Sequence, residues 1–183
     1  MPVLDNFRIG TQGEAGNLCW AAVGQGIATY YDQRAESAVR WASLCAFAEA
    51  VLGQHFGTPP GELGCCDEQR ILDPDCDQLL DFRDALDVMG NRGNVLNLPA
   101  RFDQVKAQID LKFPIGVEIQ SSAGNHIIVL FGYDETNGQR VMVADPAPDA
   151  FLNSLVFYDE LVNNYRQAGG KWARTYCTVA NAG

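Results

Sequence analysis

Apolar residues in the first half of the chain recur every three or four positions, the spacing that places them on one face of a helix. The first such face begins after Asn17 and comprises Trp20, Val23, Ile27 and Tyr30 or Tyr31. The pattern predicts helices over residues 18–32, 39–52 and 77–89. A loop rich in glycine, proline and cysteine, residues 53–74, separates the second helix from the third. A loop of that length in a compact domain is usually functional or cross-linked.

After residue 90 the pattern changes to short apolar runs bounded by turn residues, which predicts strands. The run from His126 to Tyr133 is apolar almost throughout, as expected for a central strand covered on both faces. Asn137-Gly138 is a strong hairpin signal, so the next run should return antiparallel to it. We predict strands over residues 94–98, 114–119, 126–133, 140–145, 155–158 and 172–179, with a short helix at 102–109 and a helical turn at 159–165.

Helices followed by antiparallel strands indicate an α+β fold. We expect a helical lobe over about residues 17–90, packed against a sheet lobe over about 94–179. The chain has 183 residues, of which 47% are apolar, and this is enough to bury a sizeable core. With no internal repeat or linker, the sequence predicts a single domain over residues 1–183.

The net charge of −10 argues against nucleic acid as a partner, because a phosphate backbone would be repelled. No run of about eighteen apolar residues occurs, so we expect no membrane-spanning helix. The first residues lack the basic and apolar regions of a secretory signal. The chain is therefore expected to stay in the cytoplasm, to leave the cell by a signal-independent route, or to have lost its leader.

Four of the six cysteines, namely Cys45, Cys65, Cys66 and Cys76, fall in one segment. One interpretation is that at least one disulfide forms among them, which requires an oxidising compartment. A second is that they are small buried apolar residues. A third is a zinc site that also uses His55, although the spacing contains no Cys-x-x-Cys pair.

Cys19 is the candidate nucleophile. Asn17 is a good N-cap residue, which places Cys19 in the first turn of the first helix. There the positive end of the helix dipole favours a thiolate over a thiol. Gly24 and Gly26 lower helix propensity but allow neighbouring elements to approach closely, so this helix should lie centrally.

A thiolate needs a neighbouring imidazole, and the chain has two histidines. His126 follows Gly124-Asn125 and opens the apolar strand, a position that displays a side chain at the edge of a sheet. His55 lies in the cysteine-rich segment without such support, so we predict His126 as the base. Its alternative role is that of a hydrogen-bonded histidine at a strand end.

Asp145 is the candidate for the group that orients the imidazole. It ends the strand after the hairpin and precedes Pro146. With a strict two-residue turn at Asn137-Gly138 it would face Leu130, four residues from His126. We therefore predict a wider or bulged turn that brings the two side chains together on the same face of the sheet. The alternative role of Asp145 is to cap a turn before proline.

These residues together resemble a known family. Cys-Trp-Ala-Ala at a helix start, then Gly-Asn-His opening an apolar strand, then Asp-Pro, is similar to papain-like cysteine peptidases. The similarity is to their compact bacterial branch of bacteriocin-leader peptidases and secreted effector peptidases, and runs from about Gln12 to about Cys177. It implies an active site in the cleft between two lobes, a Cys19–His126–Asp145 triad, a peptide or protein substrate, and no cofactor or metal. Papain relatives usually have Asn at this position, whereas the compact bacterial branch commonly has Asp, as here.

In this family a glutamine before the cysteine helps to stabilise the oxyanion, together with the backbone N–H of the cysteine. Gln12 is the candidate, although it lies seven residues upstream of Cys19, slightly further than usual. A small insertion around Glu14-Ala15 would account for the spacing. Leu18 stands where the family often has tryptophan. The alternative role of Gln12 is that of a polar loop residue.

The first functional hypothesis is a cysteine endopeptidase, with a bacterial effector or toxin as the biological setting that the resemblance suggests. The second is a deamidase or transglutaminase-like acyl transferase that uses the same triad. The third is a non-catalytic peptide-binding module. Trp20 is expected to be a core residue. Four other aromatic residues are expected to lie in the core or in the wall of the cleft: Phe151, Phe157, Tyr158 and Trp172.

Overall fold

A computed structural model describes residues 1–59, 61–67, 70–148, 150, 153–166 and 169–180. Its helices are α1 (Cys19–Arg34), α2 (Leu44–Phe56), α3 (Phe82–Val88), α4 (Phe102–Asp110) and α5 (Tyr158–Asn163), with a 3-10 turn at Arg70–Leu72. Its strands are β1 (Arg92–Leu96), β2 (Ile115–Ser121), β3 (Gly124–Asp134), β4 (Arg140–Ala144), β5 (Asn153–Phe157) and β6 (Lys171–Thr178). The six predicted strands all form, each with its ends within two residues of the prediction.

The strands form one antiparallel sheet in the order β1-β6-β2-β3-β4-β5. Helix α1 packs against the central strand β3 on one side and against α2 and α3 on the other. The chain thus has helices first and an antiparallel sheet second, which confirms the predicted α+β class. Helix α1 joins the two lobes, because it contacts both.

Nearly all of α1 is buried, including every residue of its predicted apolar face. The two glycines of the helix explain how its neighbours come so close. A Cβ added at Gly24 would lie 2.6 Å from the Phe47 ring of α2, and one added at Gly26 would lie 2.8 Å from the Arg8 carbonyl oxygen. Both distances are far below normal carbon contacts, so these positions require glycine for packing.

The second and third helices differ from their predicted bounds. Helix α2 begins only at Leu44, because the Ser43 side chain caps it. It continues past Gly53 to Phe56, and Gly57 caps its C-terminus in the left-handed conformation. Helix α3 begins at Phe82 rather than residue 77, with Asp81 as its N-cap. Residues 77–81 are not helical: Asp77 and Gln78 bind residues around the start of α1, and Asp81 caps α3.

The four clustered cysteines form two disulfides, Cys45–Cys66 and Cys65–Cys76. The disulfide interpretation is therefore correct, and the reduced and zinc interpretations are wrong. His55, which the zinc site required, instead pairs with Asp84 at 3.2 Å. Within the described ranges, no group of three His, Cys, Asp or Glu side chains could hold a metal ion. No helix in the same ranges combines the length and apolar character needed to cross a membrane.

Candidate active site

Cys19 is the first residue of α1, so its backbone N–H belongs to the first turn and has no acceptor within the helix. The N-cap is Leu18, not Asn17 as predicted, and no side chain caps the helix. Asn17 is turned outward instead and binds Asp77 through both its backbone N–H and its side-chain amide. Cys19 itself is 3% exposed and carries a free thiol.

His126 lies near the start of β3, where the strand leaves the tight β2–β3 turn. Its Nε2 is 2.6 Å from Oδ1 of Asp145, and the Cys19 side chain lies close enough to the ring to raise its pKa. Because Nε2 is occupied by the carboxylate, Nδ1 is the nitrogen left to face the sulfur. The three predicted residues thus lie next to one another where the helical lobe meets the sheet lobe.

The register of the β3–β4 hairpin explains how Asp145 reaches His126. The loop between the paired residues Asp134 and Arg140 has five residues, and an irregularity between Leu130 and Gly132 shifts the pairing by one more position. Extending the last pair, Val129 with Ala144, places Asp145 opposite Ile128. Only a two-residue diagonal then remains, a separation that long side chains can bridge. The predicted widening of the turn is present, with a bulge inside the strand in addition.

Asp145 is held on every polar side. Its Oδ1 accepts the Ala147 N–H at 3.0 Å besides the contact with His126, and its Oδ2 accepts the Tyr165 hydroxyl at 2.9 Å. Arg166 lies further away, at 3.9 Å from Oδ2. Burial alone would raise the pKa of Asp145, but the hydrogen bond and charge of His126 and the Ala147 N–H outweigh it and lower the pKa.

The same contacts raise the pKa of His126. Burial acts to lower it, but the hydrogen bond to Asp145, the neighbouring Cys19 side chain and the negative charge of the carboxylate raise the pKa of the imidazole to about 9. At neutral pH the ring is therefore an imidazolium. An imidazolium between a carboxylate and a sulfur can stabilise a thiolate and can donate a proton to a leaving group.

Gln12 lies beside the segment that leads into α1. Its Nε2 donates to the backbone carbonyls of Ala15 at 2.7 Å and Gly16 at 3.3 Å, whereas its Oε1 is buried without a partner. Its backbone N–H donates to the Pro146 carbonyl at 2.9 Å, which places it next to Asp145 as well. A turn at residues 13–14 takes up the extra residues between Gln12 and Cys19.

The sequence reasoning missed Tyr165 and Asp77. Tyr165 lies in a polar stretch without periodicity, so no local signal connects it with Asp145 twenty residues away. Asp77 lies within the segment predicted as the third helix, where an exposed carboxylate does not indicate any particular partner. Both residues act through contacts between distant segments, which a single sequence does not disclose.

The aromatic residues have varied positions. Trp20 is fully buried and donates its Nε1–H to the Gln78 carbonyl at 2.8 Å, which agrees with a core role. Trp172 is also buried, and Tyr158 is half-buried. Phe157 is 55% exposed beside Gly138 of the hairpin loop, so the prediction of a core or cleft residue is wrong there. Phe151 lies outside the described residues.

Two cavities border the strand that carries His126. One, of about 220 Å³, lies between the lobes, because Leu79 and Asp81 line it from the helical side and Glu118 and Arg174 from the sheet. The other, of about 440 Å³, lies on the His126 face of the sheet. Its lining comprises Ile119, Ser121, His126, Ala147, Tyr165, Arg166 and Gly170. His126 thus lines the second cavity, whereas its neighbours Asn125 and Ile127 line the first, on the opposite face of the strand.

Comparison with solved structures supports the fold. The chain is similar to digestive procathepsin L 3 of the Tenebrio molitor larval midgut, with a TM-score of 0.51 and 12% identity over 94% of this chain. It spans only 66% of the length of that procathepsin. It is also matched to xylellain, a cysteine protease from Xylella fastidiosa, with a TM-score of 0.49 and 12% identity over 97% of this chain and 85% of the other. The first likeness confirms the predicted papain-like fold.

A search of curated proteins finds no match to the sequence. A scan against protein families matches residues 20–179 to the Peptidase_C39 like family. The matched segment begins immediately after Cys19, so it tests neither that residue nor Gln12. At the level of family and fold, the prediction of a papain-like cysteine peptidase is confirmed. Because the match covers most of the sequence, the chain belongs to the Peptidase_C39 like family.

Proposed function

We propose that this chain is a cysteine endopeptidase in which Cys19 is the nucleophile, His126 the acid and base, and Asp145 the orienting group. The observation that carries the proposal is that His126 lies between the Cys19 side chain and the buried Asp145 carboxylate, whose Oδ1 is 2.6 Å from Nε2. This arrangement joins the two lobes at the first turn of a buried helix, where a thiolate is favoured.

The proposed reaction begins when the Cys19 thiolate attacks the carbonyl carbon of a peptide bond. The carbonyl oxygen becomes an oxyanion, which the Cys19 N–H and Gln12 Nε2 stabilise. The imidazolium then gives its proton to the departing amine as the C–N bond breaks, leaving a thioester on Cys19. Water attacks the thioester and gives a proton to His126. The acid product leaves, and the thiolate and imidazolium are restored.

For Gln12 to act in this way, one N–H of its amide must turn to the substrate. The two bonds that Nε2 makes are unequal, because the distance is 2.7 Å to the Ala15 carbonyl and 3.3 Å to the Gly16 carbonyl. The longer bond is the weaker one. We therefore expect the Gln12 amide hydrogen that now bonds to the Gly16 carbonyl to turn to the oxyanion, while the bond to the Ala15 carbonyl holds the side chain in place.

The alternative role of Asp145 as a turn cap is compatible with the proposal. The Ala147 N–H two residues further on binds Oδ1, which is the contact of a turn-capping carboxylate. The same oxygen binds His126. A turn cap therefore fixes the carboxylate that would orient the ring.

A setting outside the cytoplasm fits the two disulfides, since such bonds persist in oxidising compartments. We accordingly propose an exported enzyme that acts on a peptide or protein. Nothing in the site favours a deamidase or an acyl transferase over a peptidase, because all three form the same thioester. An assay that compares cleavage of a peptide library with ammonia release from glutamine peptides therefore decides between these activities.

Thiol labelling tests the nucleophile directly. Cys19 and Cys177 are the two free thiols, and Cys177 is the more exposed, although burial raises the pKa of its thiol. Exposure alone therefore predicts faster labelling of Cys177. We expect the opposite order with an epoxide thiol trap or iodoacetamide near neutral pH, with the modified residue mapped by peptide mass. Equal rates, or a faster Cys177, would remove the catalytic role of Cys19.

The imidazole is tested by paired histidine variants. His126→Ala should abolish both peptide cleavage and the preferential labelling of Cys19. His55→Ala is the matched control, because His55 also pairs with a carboxylate, Asp84, but at 3.2 Å on the surface. It should leave both readouts unchanged.

A further inference from the structure

Asp77 binds the backbone that leads into the nucleophile. Its Oδ2 accepts the Gly16 N–H at 3.0 Å, and its Oδ1 accepts the Asn17 N–H at 2.7 Å. The Asn17 side-chain amide returns a bond to the Asp77 carbonyl at 3.0 Å. One carboxylate thus satisfies two consecutive N–H groups shortly before Cys19, across some sixty residues of sequence.

The carbonyls of the same two peptide groups are bound by Gln12. The peptide group that joins Ala15 to Gly16 accepts a hydrogen bond from Gln12 at its carbonyl oxygen and donates one to Asp77 through its N–H. The peptide group that joins Gly16 to Asn17 forms the same pair of bonds. In a trans peptide the C=O and N–H point in opposite directions. Asp77 and Gln12 therefore form hydrogen bonds with the two peptide groups from opposite sides.

Asp77 is itself firmly anchored. The preceding residue, Cys76, is fixed to Cys65 by a disulfide. The backbone N–H groups of Cys76 and Asp77 both bind the Asp73 carbonyl, at 2.9 and 2.8 Å. The following residue, Gln78, receives the buried Trp20 indole N–H from the first turn of α1. The cross-linked loop thus presents the carboxylate in one position relative to the start of that helix.

We propose that Asp77 is a positioning residue for the oxyanion hole: it sets the tilt of the Ala15–Gly16 and Gly16–Asn17 peptide planes, and these planes aim the Gln12 amide. The proposal rests on the proposed function, because it assigns Gln12 the role of oxyanion donor. Without the carboxylate the two planes can rotate, and Gln12 Nε2 follows their carbonyls away from the substrate. None of the hydrogen bonds of Asp77 in the described part of the chain involves Cys19, His126 or Asp145, so the reactivity of the Cys19 thiol should persist.

A double-mutant cycle tests this coupling. Loss of an oxyanion donor typically lowers kcat by about 100- to 1000-fold, and we expect Gln12→Ala to fall in that range. Asp77→Ala should lower kcat by about tenfold, with KM within about threefold of wild type. In the double variant the Asp77 change should add nothing further, since the residue acts through Gln12. If the two losses multiply, Asp77 has an independent structural role and the proposal is overturned.

Matched variants separate positioning from folding. Asp77→Asn keeps the shape and one acceptor oxygen, so it should fold normally and lose less activity than Asp77→Ala. Asp73→Asn changes a carboxylate of the same loop whose one side-chain partner among the described residues is Arg70, and it should retain full activity. In both Asp77 variants Cys19 should be alkylated by iodoacetamide at the wild-type rate. A drop in alkylation that parallels the drop in kcat would contradict the proposal.

Hydrogen exchange supplies a readout that needs no activity. The amides of Gly16 and Asn17 should be protected in the wild type and in Asp73→Asn, and should exchange faster in Asp77→Ala. A wild-type chain that cleaves no peptide would overturn the proposed function. An active wild type whose Asp77 variants all keep full kcat would overturn only the role of Asp77.

Discussion

The imidazole Nε2 of His126 lies 2.6 Å from Oδ1 of Asp145, and this contact joins strand β3 to the residue that follows strand β4. The Asp145 side chain is 1% exposed and that of His126 is 27% exposed, so the pair has one end in the core and the other within reach of solvent. A charged hydrogen bond shielded from water in this way is stronger than one on the surface. The contact thus both orients the ring and stabilises its positive charge.

Replacing Asp145 should change the pH dependence of catalysis. In the wild type, kcat/KM should fall as the pH rises through about 9, because His126 then loses the proton that the leaving group needs. Asp145→Asn removes the charge that raises this pKa, so the alkaline limb should move to lower pH by about one unit or more. The rate at the optimum should also drop, because the ring loses the charged group that orients it. A pH profile of kcat/KM measures both.

The control for that profile is Asp84→Asn, which removes the carboxylate partner of the other histidine. Its alkaline limb should coincide with that of the wild type. If the alkaline limb of Asp145→Asn stays near pH 9, the Asp145 carboxylate is not what raises the pKa of His126.

The same pair predicts a pH window for stability. The pKa of His126 is raised from 6.5, so its contribution is complete below about pH 6.5 and is lost as the pH rises through about 9. The pKa of Asp145 is lowered from 3.8, so its contribution is complete above that pH and is lost on further acidification. The difference in Tm between wild type and Asp145→Asn should be largest between these limits, at about pH 4 to 6.5. A Tm difference that grows above pH 9 would contradict this sign.

Tyr165→Phe should impair both stability and turnover. The variant deletes the hydroxyl that binds Oδ2 of Asp145 in the core and leaves that oxygen without this donor. Loss of such a buried bond typically lowers the free energy of unfolding by about 1–3 kcal/mol. We expect kcat/KM to fall about three- to tenfold, because the carboxylate becomes freer to rotate. Thermal unfolding and peptide cleavage provide the two measurements.

Tyr133→Phe is the comparison for this variant. Its hydroxyl also binds a carboxylate, Asp110 at 2.9 Å, but near the far end of β3 from His126. Activity should be unchanged there. An equal loss of activity in both tyrosine variants would mean that neither effect passes through Asp145.

Gly26→Ala should destabilise the chain through packing. The added Cβ would lie 2.8 Å from the Arg8 carbonyl oxygen, and a backbone atom cannot move aside as a flexible side chain can. Overpacking of this kind costs about 1–3 kcal/mol and outweighs the gain in helix propensity of about 1 kcal/mol. Denaturant unfolding should show a net loss of up to about 2 kcal/mol. Gly10→Ala, where nothing lies within 4 Å of the new Cβ, should be close to neutral.

The helix that begins at Cys19 and the strand that displays His126 were both predictable from the sequence, because each depends on a local pattern. A helical apolar face after Asn17 and an apolar run after Gly124-Asn125 are dictated by residues a few positions apart. With two histidines in the chain, the choice of base was also nearly forced. Strand periodicity predicted that Asp145 could share a face with His126, but the register that places it there depends on the loop and on the bulge in β3.

Only the tertiary structure decided the partners of those groups. The apolar pattern extended the third helix back to residue 77, whereas Asp77 and Gln78 are drawn out of it by bonds to Gly16, Asn17 and Trp20 some sixty residues away. The disulfide pairing, the bulge in β3 and the bond from Tyr165 to Asp145 are likewise set by packing between distant segments. Local sequence determines which residue begins an element and which face it buries. How closely two elements approach depends on the packing of the whole core. The tertiary structure therefore determines which polar groups form hydrogen bonds with each other.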